Sequence, residues 1–201
     1  ASRLLRFPNP DDAPSLSHGT AVGSCLAGSG ERSAQAPMPY RPFALRGIAP
    51  EAKLAMYLTG NEHDAAGKPT AFVDQFTEAR QTYGIDVASF SFSHQSHALY
   101  DSVAANLDYL IAGQAKGLGA PIPIAVAAAN DGYKLGYGSV SSLASAKNTL
   151  TVGASSWPTS QLWGASSFGP TVDGRVKPEI VAPGCSVHGG ALLRLSRLRI
   201  L

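Results

Sequence analysis

Cysteine is scarce in this sequence: only Cys25 and Cys185 occur. Two cysteines so far apart leave both a disulfide and a pair of thiols open, and they do not assign a redox compartment. Charge is scarce as well. Charged residues make up 15% of the chain and the formal net charge is +2, too weak a field to select nucleic acid or an anionic membrane as a partner. No apolar run approaches the ~20 residues of a spanning helix, and the first residues lack the basic-then-apolar order of a signal peptide. Internal repeats and low-complexity segments are also missing. What remains is a soluble globular chain whose 201 residues and 44% hydrophobic content suffice for one sizeable core.

Residues 1–17 read as irregular, with three prolines, Asn9 and the acidic pair Asp11-Asp12. That pair is either a solvated turn or a carboxylate partner for the histidine that follows. Pro37, Pro39 and Pro42 mark a surface loop, and Gly47-Ile48-Ala49-Pro50 punctuates the entry to a strand over Lys53–Leu58. Phe72, Val73, Phe76, Ala79 and Tyr83 fall on one face of a helix that Gly84 ends. A strand over Asp86–Phe92 follows. A second helix over Leu99–Lys116 turns Val103, Leu107, Leu110 and Ile111 inward. Further strands are expected at Pro123–Ala128 and Leu150–Ala154. Strands alternating with amphipathic helices at this spacing predict βαβ units and a parallel sheet. Ile180–Gly184 reads as a turn marked by proline and glycine. The leucine- and arginine-rich stretch after His188 reads as an incidental tail or a short basic segment for a membrane surface.

Three stretches carry chemistry. Ser17-His18-Gly19-Thr20-Ala21-Val22-Gly23 places an imidazole at the start of a tightly packed helix, with Val22, Cys25 and Leu26 on its expected buried face. Taken alone, His18 is either a cap on a core helix or a working base. In parallel sheets, sites form at the carboxyl ends of strands. Two such ends are unusual here: Ser89-Phe90-Ser91-Phe92-Ser93 and Ala127-Ala128-Ala129-Asn130-Asp131-Gly132. The alanines leave room for a ligand close to the backbone, and Asn130 aims a carboxamide donor there. The competing reading of Asn-Asp-Gly is an ordinary exit turn.

Together, and in this order, these segments resemble the subtilisin-like serine proteases, the subtilase family. His18-Gly19-Thr20-Ala21-Val22 is similar to the family's His motif. Gly47–Leu54 is similar to the lead into its next core strand, Asp86–Ser93 to the strand beside bound peptide, and Ala127–Gly132 to the oxyanion-hole stretch. Ala146–Asn148, Val152–Ala154, Ser167–Pro170, Asp173–Pro178 and Val181–Gly184 complete the series. The resemblance implies a three-layer, doubly wound α/β domain with a mostly parallel sheet, and serine endopeptidase chemistry. His18 would act as general base and Asn130 as oxyanion donor. Ser91, Phe92 and Ser93 would face Ala127, Ala128 and Ala129 across an extended peptide or protein substrate. It further implies a monomer, an extracellular or cell-envelope location and no cofactor, with calcium admitted by family habit although no ligand pattern is visible.

The departures from the family pattern lie in Ser17, Ser93 and Ala129, where the family favours glycine, and at both ends. No Asp-Ser-Gly or Asp-Thr-Gly precedes His18 and no Gly-Thr-Ser follows Gly184. The expectation is therefore a catalytic domain over residues 18–187, truncated at both ends, between an irregular segment at 1–17 and a divergent tail at 188–201. As written it would be inactive alone. The alternative is a subtilase-derived module that binds extended peptides without cleaving them. Cys25 and Cys185 are expected as thiols, Cys25 being placed on a buried helix face.

Overall fold

Ile124-Ala125-Val126-Ala127 is apolar at every position, which suits a strand with both faces covered rather than one alternating between core and water. In the computed structural model it forms β4, the second strand of a four-stranded parallel sheet ordered β3-β4-β5-β6, with β3 at Ala88–Phe90, β5 at Leu150–Ser156 and β6 at Ile180–Cys185. Phe90 lies opposite Val126, and Ala127 opposite Val152. The structure describes residues 3–6, 16–35, 41, 43–57, 72–93, 97–115, 117–156, 158–185, 187–189 and 196–198. They fall into two compact units, one within 1–69 together with 186–198 and the other within 70–185.

The sheet belongs to the 70–185 unit, and its helices behave as their periodicity requires. Helix α3 (Ser102–Ile111) is capped by Asp101, whose carboxylate accepts from the Val103 and Ala104 N–H groups at 3.0 Å each. It buries Ala104, Leu107 and Leu110 against Ile124, Val126 and Val140, and Val103 and Ile111 pack partly buried beside them. In helix α2 (Phe72–Tyr83), Phe76 and Ala79 are buried, with the Phe76 ring edge-on to Phe90 at 5.7 Å. The side chains of Phe72 and Val73 lie outside the described residues. Gly84 ends α2 at φ +63°, a conformation that favours glycine, while its N–H donates to Arg80 O.

The other unit is smaller. Strand β1 (Leu4–Arg6) pairs in parallel with β2 (Leu54–Ala55), and β7 (Val187–Gly189) pairs antiparallel with β8 (Ser196–Leu198). Helix α1 covers Leu16–Ala27.

Two segments differ from the sequence reading. Residues 4–6 are a strand rather than irregular chain. Three residues are too few to show a period, and the strand is fixed by its partner: Leu54 N–H donates to Arg3 O at 2.9 Å. Ile180–Cys185 is likewise a strand, not a turn. Pro183 stands opposite Ser155, beside a register irregularity in a strand at the end of the strand order, the places where a strand accepts proline. Elsewhere the expected elements are present, with β3, β4 and α3 shorter at their ends and β5 longer, running on to Ser156. The pair Asp11-Asp12, the three prolines Pro37, Pro39 and Pro42 of the expected loop and most of the tail lie outside the described residues.

A buried carboxylate joins α3 to the sheet. Asp108, 8% exposed, accepts from the Lys147 and Asn148 N–H groups at 3.0 and 2.7 Å and from the Tyr100 hydroxyl at 2.8 Å. It thereby fixes the turn that feeds β5. Replacing Asp108 by alanine strips three donors of their acceptor and is expected to cost about 2–4 kcal/mol. Urea unfolding monitored by circular dichroism reads this as a lower midpoint at unchanged slope. An unshifted midpoint would show that water replaces the carboxylate at no cost.

Candidate active site

His18 lies in the first turn of α1 and is exposed. The helix is held by its small residues. A Cβ added at Gly19 would stand 3.6 Å from the Met56 Cε, and one at Gly23 would stand 3.4 Å from the Met56 Sδ. Ala21 and Ala27 are 0% and 3% exposed, whereas Leu26 is 39% exposed and Val22 and Cys25 are only half-buried. The buried stripe therefore runs through the alanines and glycines, not through Val22, Cys25 and Leu26 as their hydrophobicity suggested. Close approach rather than side-chain bulk sets which face turns inward. Burial still raises the Cys25 thiol above its ordinary range, and both cysteines stand as thiols.

The far end of α1 is closed by the Gly47–Ala49 segment. Gly47 N–H donates to Gly28 O, Ile48 N–H to Cys25 O and Ala49 N–H to Leu26 O, at 2.8–3.0 Å. These bonds satisfy carbonyls that a helix C-terminus leaves open. Gly47 is required by proximity, since a Cβ there would sit 2.7 Å from Gly28 N. The same segment leads directly to β2, so the His18 helix and its neighbouring strand are built as one piece.

Asn130 occupies the other unit. It is exposed and follows β4 at its carboxyl end. Ala127, Ala128 and Ala129 are 6%, 0% and 3% exposed, covered by the chain itself. Ala128 N–H donates to Val152 O at 3.0 Å, and its carbonyl accepts from Ser141 N–H at 3.2 Å. Ala129 is at φ +97°, a left-handed conformation costly for any residue with a Cβ. This is the position where the family pattern favours glycine. After Asn130 the chain enters the short helix α4 (Gly132–Leu135). Gly132 there fits against Ser166 O, 2.3 Å from where a Cβ would stand.

The strand end at Ser91-Phe92-Ser93 adjoins this turn through the β3–β4 pairing. Ser91 and Phe92 are half-buried and Ser93 is exposed, and the Phe92 ring lies 5.2 Å from Phe90. The structure thus brings Ser91–Ser93 and Ala127–Asn130 to the same end of one sheet, while His18 belongs to the separate unit.

Ser167 is a residue of this turn that the sequence reading missed as such. Fully buried, it lies in the 165–169 segment behind the turn and bonds to residues on both sides of Asn130. The available signal was the density of serine at 139–145 and 166–167 in a stretch nearly without charge, where hydroxyls must take over backbone bonding. Among the described residues no group of three His, Cys, Asp or Glu side chains is placed to hold a metal ion, and no helix is long and apolar enough to cross a membrane.

A parallel sheet with small residues and an exposed carboxamide at its carboxyl end defines an α/β protein whose candidate site lies at that end. Comparison with known proteins makes this specific. The subtilase family model, peptidase S8, matches residues 6–198, and the chain belongs to that family. Two solved structures share its fold. Sphericase is 21% identical with a TM-score of 0.58, over 87% of this chain and 54% of its own. A psychrophilic protease, S41, is 22% identical with a TM-score of 0.53, over 86% and 53%. The chain therefore spans about half the length of these relatives.

The φ of Ala129 yields a contrast between neighbours. Ala129→Gly relieves left-handed strain of about 1–2 kcal/mol while losing a methyl and adding chain entropy of similar size. It is expected to change stability by less than about 0.5 kcal/mol. Ala128→Gly has no strain to relieve and is expected to cost about 1–1.5 kcal/mol. Equal urea midpoints for the two variants would contradict the assignment of strain to Ala129.

Proposed function

We propose that this chain supplies the general base and an oxyanion donor of a serine endopeptidase, with extended peptide or protein as substrate. The observation that carries the reading is Asn130, exposed on a strained and tied-down turn at the carboxyl end of β4 in a chain of the subtilase family. In this mechanism a serine hydroxyl attacks the scissile carbonyl. His18 accepts the hydroxyl proton and returns it to the leaving amine, and the Asn130 carboxamide donates to the oxygen as it gains charge. Fixed before the reaction, such a donor needs no reorganisation when the charge develops.

Substrate lies extended at the strand ends. Ser91–Ser93 form one rim, along which the substrate adds as a strand. Ala127–Ala129 back the other rim, their side chains covered by the chain itself. The 201 residues contain no Gly-Thr-Ser motif for a nucleophile and no Asp-Ser-Gly or Asp-Thr-Gly to orient His18. Made by itself, this polypeptide binds extended peptides without acylation, which is the second reading in its specific form. No step of either reading runs through a cofactor, calcium is admitted by family resemblance alone, and the working form is a monomer, extracellular or at the cell envelope.

Fluorophosphonate labelling and casein hydrolysis test this, on the 201-residue polypeptide and on the product of the complete coding region. The polypeptide is expected to give neither signal and the complete product both. In the complete product, Asn130→Ala is expected to lower kcat about 10²–10³-fold at nearly constant KM, the range established on subtilisin itself for loss of such a donor. Labelling of the polypeptide that disappears on His18→Ala would place the nucleophile within this chain. Turnover indifferent to Asn130→Ala would remove the oxyanion role.

A further inference from the structure

Asn130 is useful as a donor only if its backbone holds still, and its neighbours in sequence cannot ensure that unaided. Ala129 sits at φ +97°, so the turn rests on a conformation that an alanine leaves when it is released. Asn-Asp-Gly sequences adopt many turns. The turn must be held from outside.

We infer that Ser167 is the positioning residue that holds Asn130 in place. Its N–H donates to Ala129 O at 3.0 Å and its Oγ accepts from Asp131 N–H at 2.9 Å. One residue thus bonds the chain immediately before and immediately after Asn130, and the exposed side chain is left between the two ties. Ser167 is 1% exposed, so water does not compete for either bond.

The segment carrying Ser167 is itself braced. Ser139 N–H donates to Phe168 O at 2.9 Å and Ser139 Oγ accepts from Phe168 N–H at 3.0 Å. Gly138 N–H donates to Gly169 O at 3.1 Å, and Gly132 N–H to Ala165 O at 3.1 Å. The neighbouring Ser166 Oγ accepts from Ala154 N–H of β5 at 2.9 Å. The tie on Asn130 therefore runs back into the sheet through main-chain bonds and short serine hydroxyls, not through long flexible side chains. The hydroxyl of Ser167 is the side-chain group in it that hydrogen-bonds to the Asn130 turn. Ser167 acts through Asn130 and meets no reacting atom. Its role in catalysis rests on the oxyanion reading above, whereas the tie itself does not.

Amide hydrogen exchange and the Asn130 carboxamide resonance, measured by NMR on the 201-residue chain, separate these two statements. Ser167→Ala is expected to speed exchange at the Asp131 amide at least about 10-fold and to leave the β4 and β5 amides within about 2-fold. Ser139→Ala, which removes a buried serine hydroxyl that braces the 165–169 segment but makes no bond to the Asn130 turn, is expected to leave Asp131 within about 2-fold. The pair Ser167→Thr and Ser167→Val repeats the comparison at constant volume, with threonine expected to keep protection and valine to lose it. Protection of Asp131 that survives in both Ser167→Ala and Ser167→Val overturns the tie. A capped tetra-alanine peptide added to the native chain is expected to shift the Asn130 carboxamide resonance, and to shift it less than half as far in Ser167→Ala. A full shift in the variant overturns the positioning role. No shift in the native chain, with Asp131 protection still dependent on Ser167, overturns the oxyanion reading and leaves the tie standing.

Discussion

The 70–185 unit depends on β4 being covered on both faces. Because β3 and β5 flank it and Leu107, Leu110 and Val140 close over Ile124 and Val126, the strand admits no polar side chain along its length. The first polar residue stands where the chain leaves the sheet. That residue is Asn130. The same crowding accounts for the small side chains before it: Ala128 at 0% exposure has no room for a larger group. It also explains why the exit is strained, since the chain must turn within two residues to bring Gly132 against Ser166 O.

Hydroxyls and carboxylates do the work of fastening in a chain with few charges. Asp108 takes two backbone N–H groups and a tyrosine hydroxyl. Glu179 accepts from Thr151 N–H at 2.7 Å with one oxygen and pairs with the buried Lys177 ammonium, also at 2.7 Å, with the other. Burial lowers the Lys177 pKa while Glu179 works against that shift. Both carboxylates satisfy main-chain donors near the start of β5, where the ladder would otherwise leave them open.

Much of this was legible in sequence where a single period extends over several turns. Leu107 and Leu110 announce the inward face of α3, and Ile124–Ala127 announce a strand covered twice. The misses share a cause. β1 is too short to show a period, β6 carries a proline that its place in the strand order and its register make acceptable, and the inward face of α1 is set by the absence of side chains at Gly19 and Gly23. Each depends on what packs opposite, which no local pattern contains. The site divides in the same way. His18 and Asn130 stand out from their flanking motifs, while Ser167 lies 37 residues after Asn130 and is joined to its turn only by the fold.

In the proposed mechanism His18 and Asn130 act on one carbonyl. The most direct test is a crystal structure of the chain with a capped peptide bound, reading the distance from the His18 imidazole to the Asn130 carboxamide. The account predicts less than about 15 Å, with the peptide between them, because groups acting on one carbonyl must converge. A greater separation would contradict a shared site.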